Sequence, residues 1–377
     1  MKNLGLYLHV PFCVQKCHYC DFLSAPAAKE TIAAYGRTMI KEIKQTALQY
    51  DEYLVDTIFF GGGTPSLMPA ELLTDIMHTI TASFHVSDEV EVTLECNPGT
   101  VTKENLKKIR ECGINRLSFG LQSTDDGDLK RLGRIHTYDM FLQSYQAARE
   151  VGFENINIDL MTSLPGQNAE SFRKCLEQVV SLGPEHISVY SLIVEEGTLF
   201  YRWYEEEEGR GKLPLPQEEE DRKIYHETLE YLQKHGYDRY EISNYARSKR
   251  ESRHNIKYWN RSEYLGLGLG AASMVGNVRW HETDDLKEYL SGDFLQYEKE
   301  TLSVYECMSE FMFLGLRMMK GVSRKVFYQM FGKKLDDVYG DIIEKHKQNG
   351  LLNERDDFIF LTEKGIDISN YVMSDFV

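Results

Sequence analysis

The stretch Gly5-Leu-Tyr-Leu-His-Val10, followed by Pro11-Phe12 and by Cys13-Val-Gln-Lys-Cys17-His-Tyr-Cys20, decides the fold of this chain. Its first six residues predict a buried strand, and Pro11 ends that strand because proline cannot donate to a strand ladder. The last eight residues hold three of the seven cysteines, spaced C-x3-C-x2-C. Thiolates this close together repel one another unless a cation neutralises them. The stretch therefore predicts a strand that ends in a metal site.

Two kinds of metal centre fit three clustered cysteines. A zinc ion needs a fourth ligand, which His9 or His18 would supply. A four-iron cluster takes one thiolate per iron, so three cysteines leave one iron open for another molecule. The spacing differs from the paired C-x2-C of zinc ribbons, and this difference favours the cluster.

The cysteine spacing, with an aromatic residue before the last cysteine, resembles that of the radical S-adenosylmethionine (SAM) superfamily. The wider string Tyr7-Leu-His-Val-Pro-Phe-Cys13, followed by Cys17-His-Tyr-Cys-Asp-Phe22, is similar to the branch that contains oxygen-independent coproporphyrinogen III oxidase and the HemW-type haem chaperones. The resemblance implies a [4Fe–4S] cluster on the three cysteines, with SAM on the open iron. In that superfamily the reduced cluster splits SAM to give a 5′-deoxyadenosyl radical.

Composition indicates a globular protein with room for one large domain and a smaller one, since 42% of the 377 residues are hydrophobic and 27% are charged. A net charge of −16 argues against a broad nucleic-acid surface. We find no signal-peptide pattern and no apolar run that would span a bilayer. The odd cysteine count favours a reducing cytoplasm over a disulfide framework. The other four cysteines are interpreted as small core residues: Cys96, Cys112, Cys175 and Cys307.

Strands and helices alternate from residue 5 to about 195, which predicts a parallel sheet because each return crossover needs a helix. The predicted strands are Gly5–Val10, Thr57–Phe60, Glu89–Glu95, Arg116–Gly120, Asn155–Leu160 and His186–Leu192. The predicted helices are Lys29–Gln49, Pro69–Ala82, Thr102–Cys112, Tyr138–Val151 and Asn168–Ser181. The glycine-rich turns do not match a dinucleotide fingerprint, so the α/β class is expected to take the form of a partial (β/α)6 barrel.

Each predicted strand ends in a polar or glycine-rich segment, and in such barrels chemistry lies at the carboxyl ends of strands. The six ends are the cysteine loop, Gly61–Pro65, Glu95, Gln122, Asp159 and Ser191. Gly62 and Gly63 lack Cβ atoms, so their backbone either approaches a ligand closely or simply makes a strand-to-helix turn. Glu95 and Asp159 suit ribose hydroxyls or, alternatively, helix caps.

The family resemblance assigns SAM contacts to these strand ends. The Gly61–Pro65 loop would hold the methionyl end of SAM. From the residues alone, Arg134 would be a surface arginine, and Tyr7 and Tyr19 would be packed aromatics. Ala271 belongs to a glycine-rich strand that closes the catalytic domain in the family. The implied SAM contacts are Tyr7, Tyr19, Gly62, Gly63, Thr64, Glu95, Gln122, Arg134, Asp159 and Ala271.

A second informative stretch is Arg247-Ser-Lys-Arg-Glu-Ser-Arg-His-Asn-Ile-Lys-Tyr-Trp259, which is basic within an acidic chain. A histidine can ligate haem iron, aromatics can pack on the macrocycle, and basic groups can pair with propionates. Chemistry alone favours a solvated loop that ends in packed aromatics. However, His-Asn-x-x-Tyr-Trp resembles the haem-binding signature of HemW-type proteins. The resemblance implies haem contacts for His254, Asn255, Tyr258 and Trp259.

The chain is expected to divide into three parts. Residues 1–200 would form the barrel with its cluster and SAM, and residues 201–300 a connector helix near Gln217–His235, the histidine stretch and the glycine-rich closing segment. The acidic run Tyr204–Pro216 is interpreted as an exposed connector. Residues 301–377 would form a small, mostly helical, winged-helix-like domain of the HemN type. In it, Phe358–Leu361 and Gly365–Ile368 are expected to pair as a hairpin.

Two departures from the oxidase pattern bear on activity. The oxidase branch carries a further cysteine where this chain has Phe22, and it tends to have a long extension where only twelve residues precede Cys13. These departures favour a haem chaperone that passes haem to acceptor haemoproteins such as respiratory enzymes. The alternatives are the oxidase itself and a radical SAM methyltransferase, and no catalytic residue is assigned. The resemblance also implies an electron donor such as a flavodoxin or ferredoxin, and a monomer or ligand-dependent dimer in the cytoplasm.

Overall fold

A sheet of six parallel strands occupies the first half of the chain, with helices between the strands as the sequence predicts. The computed structural model describes residues 1–377. Strands β1 to β6 lie side by side, and every pairing among them is parallel. The elements are β1 Lys2–Val10, α1 Lys29–Ala47, β2 Tyr53–Gly62, α2 Ala70–Ser83, β3 His85–Cys96, α3 Lys103–Glu111, β4 Arg116–Gln122, α4 Asp126–Arg131, α5 Tyr138–Glu150, β5 Ile156–Thr162, α6 Ala169–Ser181 and β6 His186–Ser191.

The sheet curves around a hollow, because a single cavity is lined by side chains of all six strands. One from each strand is Tyr7, Phe59, Glu95, Arg116, Asp159 and Tyr190. Neighbouring residues of a strand point to opposite faces. In β4, Ser118 also lines the hollow, whereas Leu117 and Phe119 are buried on the outer face. The Phe119 ring meets Phe141 of α5 edge-on at 5.9 Å. The result is the partial barrel that the sequence predicts.

The middle of the chain extends this sheet at both edges. Strand β9 runs parallel to β1, and β8 runs antiparallel to β6, which gives a sheet of 12 strands. The sequence predicted the connector helix and the glycine-rich strand, but it did not predict the β7–β8 or β10–β12 strands. The elements are α7 Leu199–Tyr201, a π-helical turn at Arg202–Glu206, α8 Glu218–Lys234, β7 Asp238–Glu241, β8 Asn244–Ala246, α9 Arg253–Trp259, β9 Tyr264–Leu267, β10 Ala272–Val275, β11 Val278–Glu282, α10 Leu286–Ser291 and β12 Gln296–Thr301.

Helix α9 carries the histidine stretch and lies at the amino-terminal end of the barrel strands. The Ser252 side chain caps it by accepting from the Asn255 N–H. The carboxylate of Glu91, in β3, accepts from the first helical N–H groups, at 3.2 Å from Arg253 N and 3.1 Å from His254 N. A negative group is favourable there because of the helix dipole. The second half of the stretch is therefore a helix that buries His254 and Lys257, whereas residues 247–249 form the exposed loop that the charge alone favoured.

The carboxyl-terminal region forms a second hydrophobic core of 17 buried residues. Its elements are α11 Val304–Gly315, β13 Val322–Ser323, α12 Arg324–Phe331, α13 Leu335–Gln348, β14 Leu352–Arg355, β15 Phe358–Leu361, α14 Glu363–Asp367 and α15 Ser369–Ser374. Helices with a three-stranded sheet in the order β13-β15-β14 match the predicted winged-helix-like form.

The predicted hairpin in this region is wrong in its partner strand. Phe358–Leu361 pairs with the preceding strand, Leu352–Arg355, and not with Gly365–Ile368. Asp356 turns the chain with a φ of 55°. The Thr362 hydroxyl accepts from the Gly365 N–H and starts a helix there instead of a strand.

The barrel and the carboxyl-terminal region have separate cores, one of 56 buried residues and one of 17. This separation supports the proposed division near residue 301. Ion pairs join the two regions. Arg261 and Glu310 are both buried and lie 2.9 Å apart, whereas buried Arg239 pairs at 2.8 Å with Glu363, whose side chain is exposed. None of the helices combines the length and the apolar character that a bilayer crossing requires.

Candidate cofactor site

The three cysteines of the loop after β1 line one small cavity. Cys13, Cys17 and Cys20 carry free thiols around a space of about 130 Å³. The Thr64 hydroxyl donates to Cys13 Sγ at 3.5 Å, and Arg134 Nη1 donates to Cys17 Sγ at 3.6 Å. Hydrogen-bond donors aimed at sulfur stabilise thiolates. Two of the three sulfurs therefore lie beside a side-chain hydrogen-bond donor.

Burial acts in the opposite direction on one of these thiols. It raises the pKa of Cys20, and the neighbouring thiols Cys17 and Cys13 raise it further. A bound cation would offset both effects, because it neutralises thiolates that otherwise repel one another. The donor set thus fits an iron–sulfur centre.

The two histidines considered as zinc ligands have other partners. His9 Nε2 lies 2.9 Å from the Leu23 carbonyl, and its Nδ1 lies 2.9 Å from the Tyr7 hydroxyl. His18 Nδ1 lies 2.9 Å from the Arg131 carbonyl. No three metal-binding side chains converge closely enough to hold a single ion. The closed zinc site therefore has less support than the cluster.

Gly62, which ends β2, and Gly63, which follows it, allow this segment to pack against the cysteine loop. A Cβ atom on Gly62 would lie 2.5 Å from the His9 ring, and one on Gly63 would lie 2.7 Å from the Phe12 main-chain oxygen. Gly62 also has a φ of 109°, which favours glycine. Its N–H donates to the Glu95 carboxylate at 3.1 Å. Close packing, and not only turn geometry, requires these glycines.

Glu95 and Asp159 face each other inside the barrel and cap no helix. Burial and the charge of Asp159 raise the pKa of Glu95 to about 8. Burial raises the pKa of Asp159, although Asn157 donates to it at 2.7 Å and Ser118 at 3.3 Å. Both carboxyl groups line the space beside the cysteines. They can accept hydrogen bonds from a ligand's hydroxyl groups.

Gln122 and Arg134 complete the rim beside the cysteine loop. Gln122 ends β4 with a φ of 75° and is 9% exposed. Arg134 is no surface arginine, because its guanidinium donates to the Gly120 carbonyl at 2.7 Å and to Asn97 at 3.2 Å. Its Nε lacks a partner. A ligand carboxylate beside this group would form a charge-assisted hydrogen bond.

A larger cavity of about 570 Å³ continues from the cysteine cavity into the barrel. The two share the lining residues Tyr19, Cys20, Phe22, Glu95, Ser118, Gln122 and Asp159. Tyr7 also lines the larger one. The sequence missed Arg116, Met161, Tyr190 and Ile193 among its lining residues. Alternation along the predicted strands was the signal that would have found Arg116.

The four residues of the predicted haem signature face different surroundings. Asn255 and Tyr258 line the larger cavity. His254 lies behind Tyr258 and is 1% exposed, with Nδ1 2.9 Å from Thr57 Oγ1 and Nε2 2.9 Å from the Tyr258 hydroxyl. Burial lowers the pKa of His254 to about 3, so the ring is neutral. Trp259 stacks under the Arg317 guanidinium at 4.4 Å.

Ala271 lies apart from the other predicted SAM contacts. It is buried in the turn between β9 and β10, where its N–H donates to the Gly268 carbonyl at 3.1 Å. It lines neither of the two cavities. The other nine predicted residues all do.

Fold and site together define a radical SAM protein. The model of the Radical SAM superfamily matches residues 7–179, and that of the HemN C-terminal domain matches residues 302–368. The solved coproporphyrinogen III oxidase HemN of Escherichia coli superposes over 100% of this chain and 90% of its own, with a TM-score of 0.86 at 22% identity. That likeness establishes the fold.

Within this superfamily, the chain belongs to the HemW family. It is 35% identical to "Heme chaperone HemW" of Bacillus subtilis, over 98% of this chain and 98% of that protein. The protein of the same name in Escherichia coli K12 is 31% identical, over 97% and 96%. A zebrafish (Danio rerio) relative, "Radical S-adenosyl methionine domain-containing protein 1, mitochondrial", is 31% identical over 97% and 83%. Membership of the superfamily implies a [4Fe–4S] cluster and SAM as cofactors.

Proposed function

We propose that this protein is a haem chaperone that binds haem and transfers it to acceptor haemoproteins. The observation that carries the proposal is the similarity to proteins named haem chaperone over nearly the whole of both chains. Phe22 supports it, since the oxidase branch has a cysteine at that position. Phe22 is 59% exposed and lines both cavities.

We further propose which residues hold the cofactors of the superfamily. Cys13, Cys17 and Cys20 would ligate the cluster, and the nine cavity-lining residues named above would contact SAM, whereas Ala271 lies away from both cavities. The bound pair would supply a one-electron cleavage of SAM, if a donor such as a flavodoxin or ferredoxin provided the electron. The protein itself would shield the sulfurs from solvent and orient SAM through Glu95 and Asp159. Arg134 would lie near the carboxylate of SAM.

Haem is proposed to bind at the larger cavity, with Asn255 and Tyr258 as lining contacts and His254, behind Tyr258, as the candidate iron ligand, whereas Trp259 packs against Arg317 away from the cavity. Two exposed apolar side chains at the rim support this placement: Phe22 and Ile193, which is 66% exposed. His254 is neutral, as an iron ligand must be, and Thr57 fixes its Nδ1. Ligation through Nε2 would replace the hydrogen bond from Tyr258, so the Tyr258 ring would have to move aside.

The test uses anaerobically reconstituted protein. It is titrated with haem, and it is assayed separately with SAM, reductant and coproporphyrinogen III. Saturable haem binding and transfer to an apo-haemoprotein, without protoporphyrinogen, is the expected result. Decarboxylated product without specific haem uptake would instead identify an oxidase. Deoxyadenosine that forms only with an unrelated substrate would indicate a methyltransferase.

A further inference from the structure

Arg116 is a buried cation without an anionic partner. The residue is 2% exposed and begins β4, where it is paired with Thr93 of β3. Its one hydrogen bond is a long contact of 3.5 Å from Nη1 to Thr93 Oγ1, and Nε has no partner. A guanidinium has five N–H donors, so most of its capacity is unused. Buried charges in proteins are normally paired.

Other buried arginines of this chain follow that rule. Arg239 lies 2.8 Å from Glu363, and Arg261 lies 2.9 Å from Glu310. Both are as deeply buried as a core residue, at 8% and 6% exposure. Arg116 forms no such ion pair, although it is the least exposed of the three. Its environment differs in one respect, because it lines the larger cavity.

The polar groups beside Arg116 are already satisfied by one another. Asn157 donates to Ser118 at 2.7 Å and accepts from Ser188 at 3.0 Å, and its Oδ1 lies 2.6 Å from His186 Nδ1. Asn157, Ser118 and Ser188 line the same cavity. Among these side chains, the Arg116 guanidinium is therefore the group that still lacks hydrogen-bond partners. It lies beside Thr93 of β3, two residues before Glu95 along that strand.

Charge balance for the two buried acids does not account for Arg116. The guanidinium does act to lower the pKa of both Glu95 and Asp159. Burial nevertheless outweighs it, and both pKa values remain above their usual range. Neither acid forms an ion pair with Arg116, whose one hydrogen bond goes to Thr93.

We infer that Arg116 forms an anion-binding site at the floor of the barrel and holds a carboxylate of the ligand that fills the cavity. The planar guanidinium matches a carboxylate in a two-point arrangement. Haem supplies this chemistry through a propionate. SAM also carries a carboxylate, but Arg134 and the Gly61–Pro65 loop are proposed to hold that end, so SAM is the alternative source that the test must exclude. The haem source rests on the proposed function, whereas the SAM source does not.

Two ligand pairs test the inference, each differing in the carboxylate alone. Dissociation constants are measured for haem against haem dimethyl ester, and for SAM against its decarboxylated analogue, on the reconstituted protein. We expect Arg116→Gln to reduce the wild-type preference for the carboxylate form by about 10- to 100-fold in one pair, the range for hydrogen bonds to charged groups. The affected pair identifies the ligand.

Arg116→Lys is the matched variant, since it keeps the charge but loses the two-point geometry. It should retain only part of the preference, and it serves in place of Arg116→Gln if the neutral variant does not fold. Cluster absorption reports that the fold is intact. An unchanged preference in both pairs overturns the inference. If the wild-type protein binds neither haem form, the proposed function fails, and the SAM pair still decides the role of Arg116.

Discussion

At the scale of single residues, the site depends on polar groups that have few hydrogen-bond partners. The sulfurs of the cysteine loop receive two side-chain donors, from Thr64 and Arg134. Glu95 is held by one N–H, that of Gly62. Loss of a single polar atom should therefore change the properties of each group. Substitutions that keep the size of the side chain, such as Cys→Ser and Glu→Gln, test this chemistry without disturbing the packing.

Replacing any of Cys13, Cys17 or Cys20 by serine is expected to abolish the cluster, because a serine hydroxyl stays protonated where a thiolate would bind iron. Iron and sulfide should fall from about four per chain to near zero, and the visible absorption should disappear. Cys112→Ser is the matched control, since Cys112 lies outside the two cavities and its thiol donates to the Ile109 carbonyl at 3.1 Å. A full cluster in all three variants would refute the ligand assignment.

Glu95→Gln is expected to change the dependence of stability on pH. Because burial raises the pKa of Glu95 to about 8, the folded protein binds a proton there that the unfolded chain loses near pH 4.5. Its contribution to stability is therefore present below about pH 4.5 and declines as the pH rises to about 8. Glutamine cannot ionise, so the variant should gain stability relative to wild type on going from pH 5 to pH 8. Urea unfolding of the SAM-free protein at both values measures the difference, and parallel curves would contradict it.

At the scale of elements, strand periodicity carried most of what could be predicted. The six barrel strands and the polar residues at their ends follow from apolar runs that stop at glycine or a carboxylate. Helix α9 could not be found in this way, since Arg253, Lys257 and the basic residues before them gave the pattern of a solvated loop. What buries it is distant in sequence: Lys257 pairs with Asp56 at 2.7 Å, and Glu91 holds its first turn. The β14–β15 hairpin was missed because the three residues after Leu352 are exposed and polar.

His254→Ala is expected to weaken haem binding at least about tenfold, as loss of an axial ligand would, and to leave the cluster intact. Tyr258→Phe provides the comparison, because it keeps the ring but removes the hydroxyl that occupies Nε2. If His254 ligates iron, Tyr258→Phe should bind haem at least as tightly as wild type. Haem titrations with absorption spectra of the iron distinguish the two. Equal haem affinity in His254→Ala would remove this residue from the site.

At the scale of the whole molecule, the carboxyl-terminal region is joined to the barrel next to helix α9. Arg317 stacks on Trp259 at 4.4 Å and lies 3.6 Å from Glu241, whose carboxylate is fully buried. Met319 N–H donates to the Tyr240 carbonyl at 3.0 Å and so covers the β7 edge of the sheet. Helix α9, which lines the larger cavity, and the carboxyl-terminal core therefore share one interface. A substitution that destabilises one of them should also destabilise the other.

Glu310 tests this interface because it lies between two cations. Its carboxylate is 8% exposed and pairs with Arg261 at 2.9 Å and with Arg279. Glu310→Ala leaves Arg261 buried without a partner, and removal of one member of a buried pair costs about 3–5 kcal/mol. We expect a loss of that size in the free energy of unfolding, with two separate thermal transitions in place of one. Glu344→Ala, on the exposed side of α13, is the control and should change stability by less than about 0.5 kcal/mol. A single transition with unchanged stability in Glu310→Ala would show that the two cores are not coupled through this ion pair.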